Sequence, residues 1–243
     1  MKSKGLLRLE NRIDWFCDDI EFANIIAKNI HLLQSNTAIF KGVTQNSCPS
    51  LYRRSNSPKS RTLVAQHLKK TIYVSYIKEL YEEVSEYLQY ILICGARCPI
   101  DYARLLGESN KITIDSNTLL NAGSYSKIQE MIISLTFQAL CAKKNKTIEI
   151  IKGVINKLGL NVDTSIIEAA VTYLELRHFY VHSDGKPDNK FKEEHSDIKM
   201  KNGRIALSKD LLLNARSKII ELVEKIDNEM IAKNYIPEEE MQP

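Results

Sequence analysis

The chain has 243 residues, 44% hydrophobic and 26% charged, with 9 Gly and 6 Pro. That balance belongs to a globular chain long enough to bury its own core, and it excludes collagenous, low-complexity and disulfide-stapled classes. The net charge of +4 does not mark a nucleic-acid binder by itself, but its distribution is uneven: Phe22 to Lys78 holds nine Lys and Arg and no Asp or Glu, so that segment is +9 and the rest is −5. A zone of this kind draws in polyanions. A surface balanced by acidic helices elsewhere in the fold would give the same count.

At the start, Leu6, Leu7 and Leu9 are interrupted by Arg8, Glu10 and Arg12, which predicts no secretory signal. No apolar stretch reaches the ~18 residues of a spanning helix, so no membrane is expected. The five cysteines, an odd number, read as reduced thiols of a cytoplasmic protein. Cys94 and Cys98 have no second Cys or His pair nearby, so no zinc site is expected there.

Leu6 to Gln34 has the spacing of one long amphipathic helix, through Leu9, Ile13, Phe16, Ile20, Ala23, Ala27 and Ile30. Residues 35–60 read as a basic loop with Pro49, Pro58 and the candidate RNA-binding residues Arg53, Arg54 and Lys59. A second long helix is predicted from about Ser60 to Ile93, its stripe made of Leu63, His67, Ile72, Tyr76, Leu80, Val84, Leu88 and Leu92. Cys94 to Gly123 is irregular, with Ile112-Thr-Ile as a short extended piece. Helices follow over Ser124–Lys143 and Thr147–Leu158, the latter closed by Gly159.

Ser165-x-x-Glu168 predicts a capping box opening a helix that ends before Gly185. Lys186 to Arg204 is a polar connection, with a minor β-hairpin expected near 190–207. Ser208 caps a final helix to about Lys233, and residues 234–243 read as a frayed tail. No internal repeat is present. The fold class is all-α, a single helical domain over 1–243 arranged as an up-and-down bundle.

The chemistry concentrates in Glu175-Leu-Arg-His-Phe-Tyr-Val-His-Ser-Asp-Gly185. Arg177 stays charged at any working pH and pairs well with phosphate. His178 and His182 are of the residue type that can give or take a proton in catalysis. An Arg and a His are the minimum for cutting RNA without a metal: one group moves the 2′-hydroxyl proton while a cation stabilises the phosphorane. Five residues of regular helix turn ~500°, leaving Arg177 and His182 ~140° apart. They converge only if the helix ends or distorts between them, or if a partner subunit completes the site.

Two other readings use the same residues. In one, Arg177 is structural and His182 caps the helix C-terminus. The helical neighbours of Arg177 (Tyr173, Leu174, Tyr180, Val181) are not acidic, so its partner would come from Asp184 or another helix. In the other, His178 and His182 share a divalent ion with Asp184, Asp188 or His195. There is no HExxH motif, and no metal site and no cofactor are assigned.

Arg177-His-Phe-Tyr-Val-His182 resembles the R-x4-6-H motif of the HEPN superfamily, with His178 in the polar place after the Arg. The wider run, Leu174 to Gly185 followed by Asp188 and Phe191, is similar to the RiboL-PSP type of HEPN domain. Gly203-Arg-Ile-Ala-Leu-Ser208 resembles that branch's lead into its last helix, and Ser124-Tyr-Ser-Lys-Ile-Gln-Glu-Met its lead into the third. The specific part covers roughly residues 145–230. Asn is commoner than His at the position of His178.

The resemblance implies an up-and-down helical bundle, paired as a homodimer so that two motif helices line one cleft. For active members it implies metal-independent endoribonuclease activity, often as a toxin of a toxin–antitoxin pair or an antiviral defence effector. Arg177 would then bind the scissile phosphate, His182 would transfer protons and His178 would assist, with an antitoxin or defence protein as a further partner. Some members of this superfamily are non-catalytic assembly or RNA-binding modules, and the residues alone leave that alternative open.

Overall fold

The computed structural model describes residues 1–33, 44–54, 57–107, 112–144 and 146–242. A two-residue strand, β1 (Lys2–Ser3), leads into α1 (Lys4–Lys28), where Ser3 Oγ accepts from the Leu6 N–H at 3.1 Å. This is an ordinary side-chain N-cap. The helix ends six residues earlier than its apolar spacing predicts. The Asn29 side-chain amide donates to the Ile25 carbonyl at 2.8 Å, competing with the helical ladder, and a 3₁₀ turn over Ile30–Leu33 follows.

Of the expected loop 35–60, residues 35–43 and 55–56 lie outside the described residues. Pro49–Tyr52 forms one helical turn, α2, where a loop was expected. A proline marks a loop or opens a helix at its first position, and here it opens one. Next comes α3 (Pro58–Arg97), a single 40-residue helix with Pro58 in its first turn and Ser57 Oγ accepting from Ser60 N–H at 3.1 Å. Tyr76, Leu80, Val84, Leu88 and Leu92 are buried as their spacing predicts. Leu63 and His67 are exposed instead: at that end of α3 a small separate cluster forms around Leu33 and Ala65.

α1 and α3 run antiparallel. Gly5 packs on the Tyr90 ring, where a Cβ would overlap it. Arg12 pairs with Glu83 at 2.7 Å and Glu86 at 3.2 Å, and Lys69 donates to Asn24 at 2.8 Å.

Short helices α4 (Tyr102–Leu106) and α5 (Ser116–Asn121) follow, and Ile112 to Ile114 pairs with no strand. α6 (Tyr125–Lys143) is capped by Ser124, and α7 (Thr147–Leu158) is closed by Gly159 at φ 64°.

α8 (Thr164–Leu174) starts at N-cap Asp163, not at Ser165. The capping box does not form, and Glu168 turns to Lys152 at 3.8 Å. The helix predicted to run on to Gly185 breaks into two at Glu175, with α9 (Leu176–His182) beyond it. His178 N–H bonds to the Glu175 carbonyl at 3.0 Å, a one-turn 3₁₀ tightening.

Asp188 caps α10 (Asn189–Glu194), accepting from Phe191 N–H at 2.8 Å. The hairpin expected near 190–207 is present as β2 (Met200–Lys201) and β3 (Arg204–Ile205). Asn202 at φ 53° and Gly203 at φ 72° give its two-residue turn the handedness that strand twist favours. Ser208 caps α11 (Lys209–Ala232), accepting from Leu211 N–H at 3.1 Å.

The tail predicted to fray is tied down. Met241–Gln242 forms β4, antiparallel to β1, behind a 3₁₀ turn over Glu238–Glu240. Beneath this pairing, buried Asp227 accepts from Ser3 N–H at 3.0 Å, from Ser3 Oγ, and from Tyr87 Oη at 3.0 Å. Burial, with Asp227 beside it, pushes the Tyr87 phenol well above its ordinary pKa.

The described residues are mostly helical, an all-α fold with two small two-stranded sheets. One core cluster draws residues from Leu6 to Ile236, with Ile77, Ile91, Leu92, Val154, Leu158, Leu176, Leu222 and Ile226 fully buried. Among the described residues no helix is long and apolar enough to cross a membrane.

Candidate active site

α9 is held to the core by Leu176 and Phe179, both buried. Its remaining faces carry Arg177, His178 and His182. The helix stays regular from Leu176 to His182, so the break falls before Arg177 and not between it and His182. The two side chains therefore diverge, as the helical rotation predicts.

Arg177 turns toward α3. Its Nη2 donates to Glu82 Oε1 at 2.9 Å, and its guanidinium carbon lies 4.6 Å from the centre of the Tyr81 ring. Its Nε is buried with no hydrogen-bond partner. The salt-bridge partner missing from its own helix is thus supplied by another.

His182 is exposed at the helix end. Its ring centre is 4.9 Å from that of His178, with the planes tilted by 48°. His178 in turn lines a 560 Å³ cavity together with Arg177, Tyr81, Lys144, Lys146 and Glu175. His178 thus stands between the two: it shares a cavity with Arg177 and touches His182.

A second cavity of 510 Å³ shares Lys146, Glu175, Phe179 and Asp188 with the first and reaches His195. Burial pushes the Glu175 carboxyl up, while His195 and Lys146 pull it down. Sequence reasoning missed Glu175, Tyr81, Glu82 and Lys146. One signal was available for Glu175, a carboxylate set between Leu174 and Leu176, which are both buried. Among the described residues no group of three or more His, Cys, Asp or Glu is placed to hold a metal ion.

After His182 the chain turns sharply. Ser183 and Gly185 N–H both donate to the Phe179 carbonyl at 2.9 Å, with Asp184 at φ 48° and Gly185 at φ 77°. Gly185 has a second constraint, since a Cβ there would sit 2.7 Å from the Tyr180 ring. Tyr180 Oη donates to the Ile205 carbonyl, and Ile205 N–H to the Gly185 carbonyl, both at 2.9 Å. These bonds dock the β2–β3 hairpin against the end of α9.

Among the described residues the basic segment meets this site at Lys70 of α3, which lies 3.4 Å from Asp184. Arg53, Arg54 and Lys59 are exposed near the other end of α3. Lys59 is 23 residues before Glu82 on one continuous helix, about 35 Å along its axis. Within one chain the three candidate RNA-binding residues and Arg177 are not brought together.

No family model, curated protein or solved structure matches this chain.

Proposed function

We propose that the protein is a metal-independent endoribonuclease of HEPN type, acting as a toxin or antiviral defence effector. The observation that carries this is the make-up of α9. Seven residues hold Arg177, with an unsatisfied buried donor, and the touching pair His178 and His182, at a helix end that opens to solvent. An unpaired buried donor in a folded chain calls for an explanation, and a ligand phosphate is one.

In the reaction, His182 takes the proton of a ribose 2′-hydroxyl. The 2′-oxygen attacks the adjacent phosphorus, and the 5′-oxygen leaves with the proton that His182 took, returned directly or through His178, giving a 2′,3′-cyclic phosphate and a 5′-hydroxyl end. Arg177 stabilises the phosphorane charge, and His178, touching His182, positions it or passes a proton. The divergence of Arg177 and His182 in one chain supports a reaction of two copies, which we propose pair their motif helices across a cleft in an up-and-down bundle dimer.

A second reading is favoured by one contact. The engagement of Arg177 with Glu82 and Tyr81 is also what a purely structural arginine makes, and it fits a non-catalytic RNA-binding or interaction module. Induced expression in bacteria separates the two. Growth arrest that disappears with His182→Ala supports the nuclease, and identical growth of wild type and variant supports the module.

A further inference from the structure

Beside the end of α9 lies a 580 Å³ pocket whose lining includes Lys70, Lys186, Lys201 and Arg204 around a single carboxylate, Asp184. Four cations face one anion there, a surplus of three positive charges. Asp184 holds Arg204 at 2.8 Å and Lys70 at 3.4 Å. Among the described residues Lys186 and Lys201 have no ion-pair partner, and both are exposed. Lys201 and Arg204 are directly paired across the hairpin. Like charges in that position repel, and Asp184 relieves only the Arg204 side.

The frame around these charges is fixed. Tyr180 donates to the Ile205 carbonyl and Ile205 N–H to the Gly185 carbonyl, which ties the hairpin to the end of α9. His182 is two residues from Asp184. The pocket therefore lies at the same end of α9 as the proposed proton-transfer group. The basic stretch at Arg53, Arg54 and Lys59 has no such link to α9.

We infer that this pocket binds the backbone phosphates of single-stranded RNA and leads the strand to His182. The inference rests on the ribonuclease reading for its direction, but binding is measurable without cleavage. The shape fits a chain better than one free phosphate: the cations are spread over α3, the loop after α9 and both strands of the hairpin.

The test uses the full-length His182→Ala protein and a fluorescent 20-nucleotide single-stranded RNA, with anisotropy read across a salt series. Adding Lys186→Glu and Lys201→Glu is expected to weaken binding and to lower the slope of log affinity against log salt by about 1.4, the value for two lost phosphate contacts on a single strand. Lys186→Gln with Lys201→Gln, a milder pair at the same exposed sites, is expected to change the slope in the same direction. Lys225→Glu with Lys233→Glu, outside the lining of the pocket, is expected to leave it nearly unchanged.

An unaltered slope in both lysine pairs, or no RNA binding at all, overturns the inference. Equal affinity for inorganic pyrophosphate and for the RNA overturns the assignment to a strand. Binding that depends on these lysines in a protein whose wild type cuts no RNA supports the pocket while removing the nuclease reading.

Discussion

Arg177 donates to Glu82 at 2.9 Å across the space between α9 and α3, 95 residues apart in the chain. The pair is partly open to solvent, with the Arg177 side chain 33% and that of Glu82 51% exposed. Exposed pairs of this kind stabilise a fold by about 0–1 kcal/mol. Glu82 therefore holds the guanidinium in a way that a phosphate can displace. Glu82→Gln is expected to change the unfolding free energy by less than ~1 kcal/mol and to raise the rate of RNA cleavage. A slower rate with unchanged stability would show that Glu82 orients Arg177 instead of competing for it.

Glu175 gives a pH signature. Burial raises its carboxyl above the ordinary value of 4.5. The folded chain then keeps that proton to higher pH than the unfolded chain does. Stability contributed by this group is complete below the ordinary value and is lost as pH rises through the raised one. Glu175→Gln is expected to be more stable than wild type at pH 7, with the difference vanishing near pH 4. Urea unfolding at several pH values reads this directly, and parallel profiles would remove the assigned shift.

Gly185 and Gly203 both have positive φ, but only Gly185 faces a ring. Gly185→Ala should lose about 2 kcal/mol of stability from backbone strain and the displaced Tyr180. Gly203→Ala meets open space and should lose about 1 kcal/mol, for the backbone alone. Denaturant titration of the two variants checks the order, and equal losses would show that Tyr180 yields freely.

Asp227 holds Ser3 of β1, the strand on which β4 pairs. Asp227→Ala leaves Ser3 and Tyr87 without their acceptor and should cost on the order of 3 kcal/mol. It should also speed amide exchange in both Lys2–Ser3 and Met241–Gln242. Exchange that rises at neither end would mean that the β1–β4 pairing holds without it.

The parts legible in the sequence are those governed by neighbours three or four residues apart. Ser124 and Ser208 accept from the N–H three residues on, and both helices begin where those serines predict. The hairpin expected near 190–207 is likewise local, its strands joined by the two residues Asn202 and Gly203. What escaped depends on distant residues. Nothing near Gln242 points to Lys2, and nothing near Arg177 points to Glu82. Ser165 and Glu168 satisfy a local pattern, yet Glu168 turns to Lys152 on the preceding helix. The divergence of Arg177 and His182 was legible from helical rotation alone. The cavity that Arg177 shares with His178 was not, because Tyr81, Lys144 and Lys146 come from other parts of the chain.

The most direct measurement is cleavage of RNA by the purified full-length protein in EDTA, comparing wild type with His182→Ala and Arg177→Ala. Wild type is expected to cut and leave 2′,3′-cyclic phosphate ends. His182→Ala is expected to fall by about 10²–10⁴-fold, the range for loss of a general acid–base group, and Arg177→Ala to fall with it while both variants remain folded. Cleavage at equal rates by all three proteins, or none by wild type, would contradict the assignment of catalysis to α9.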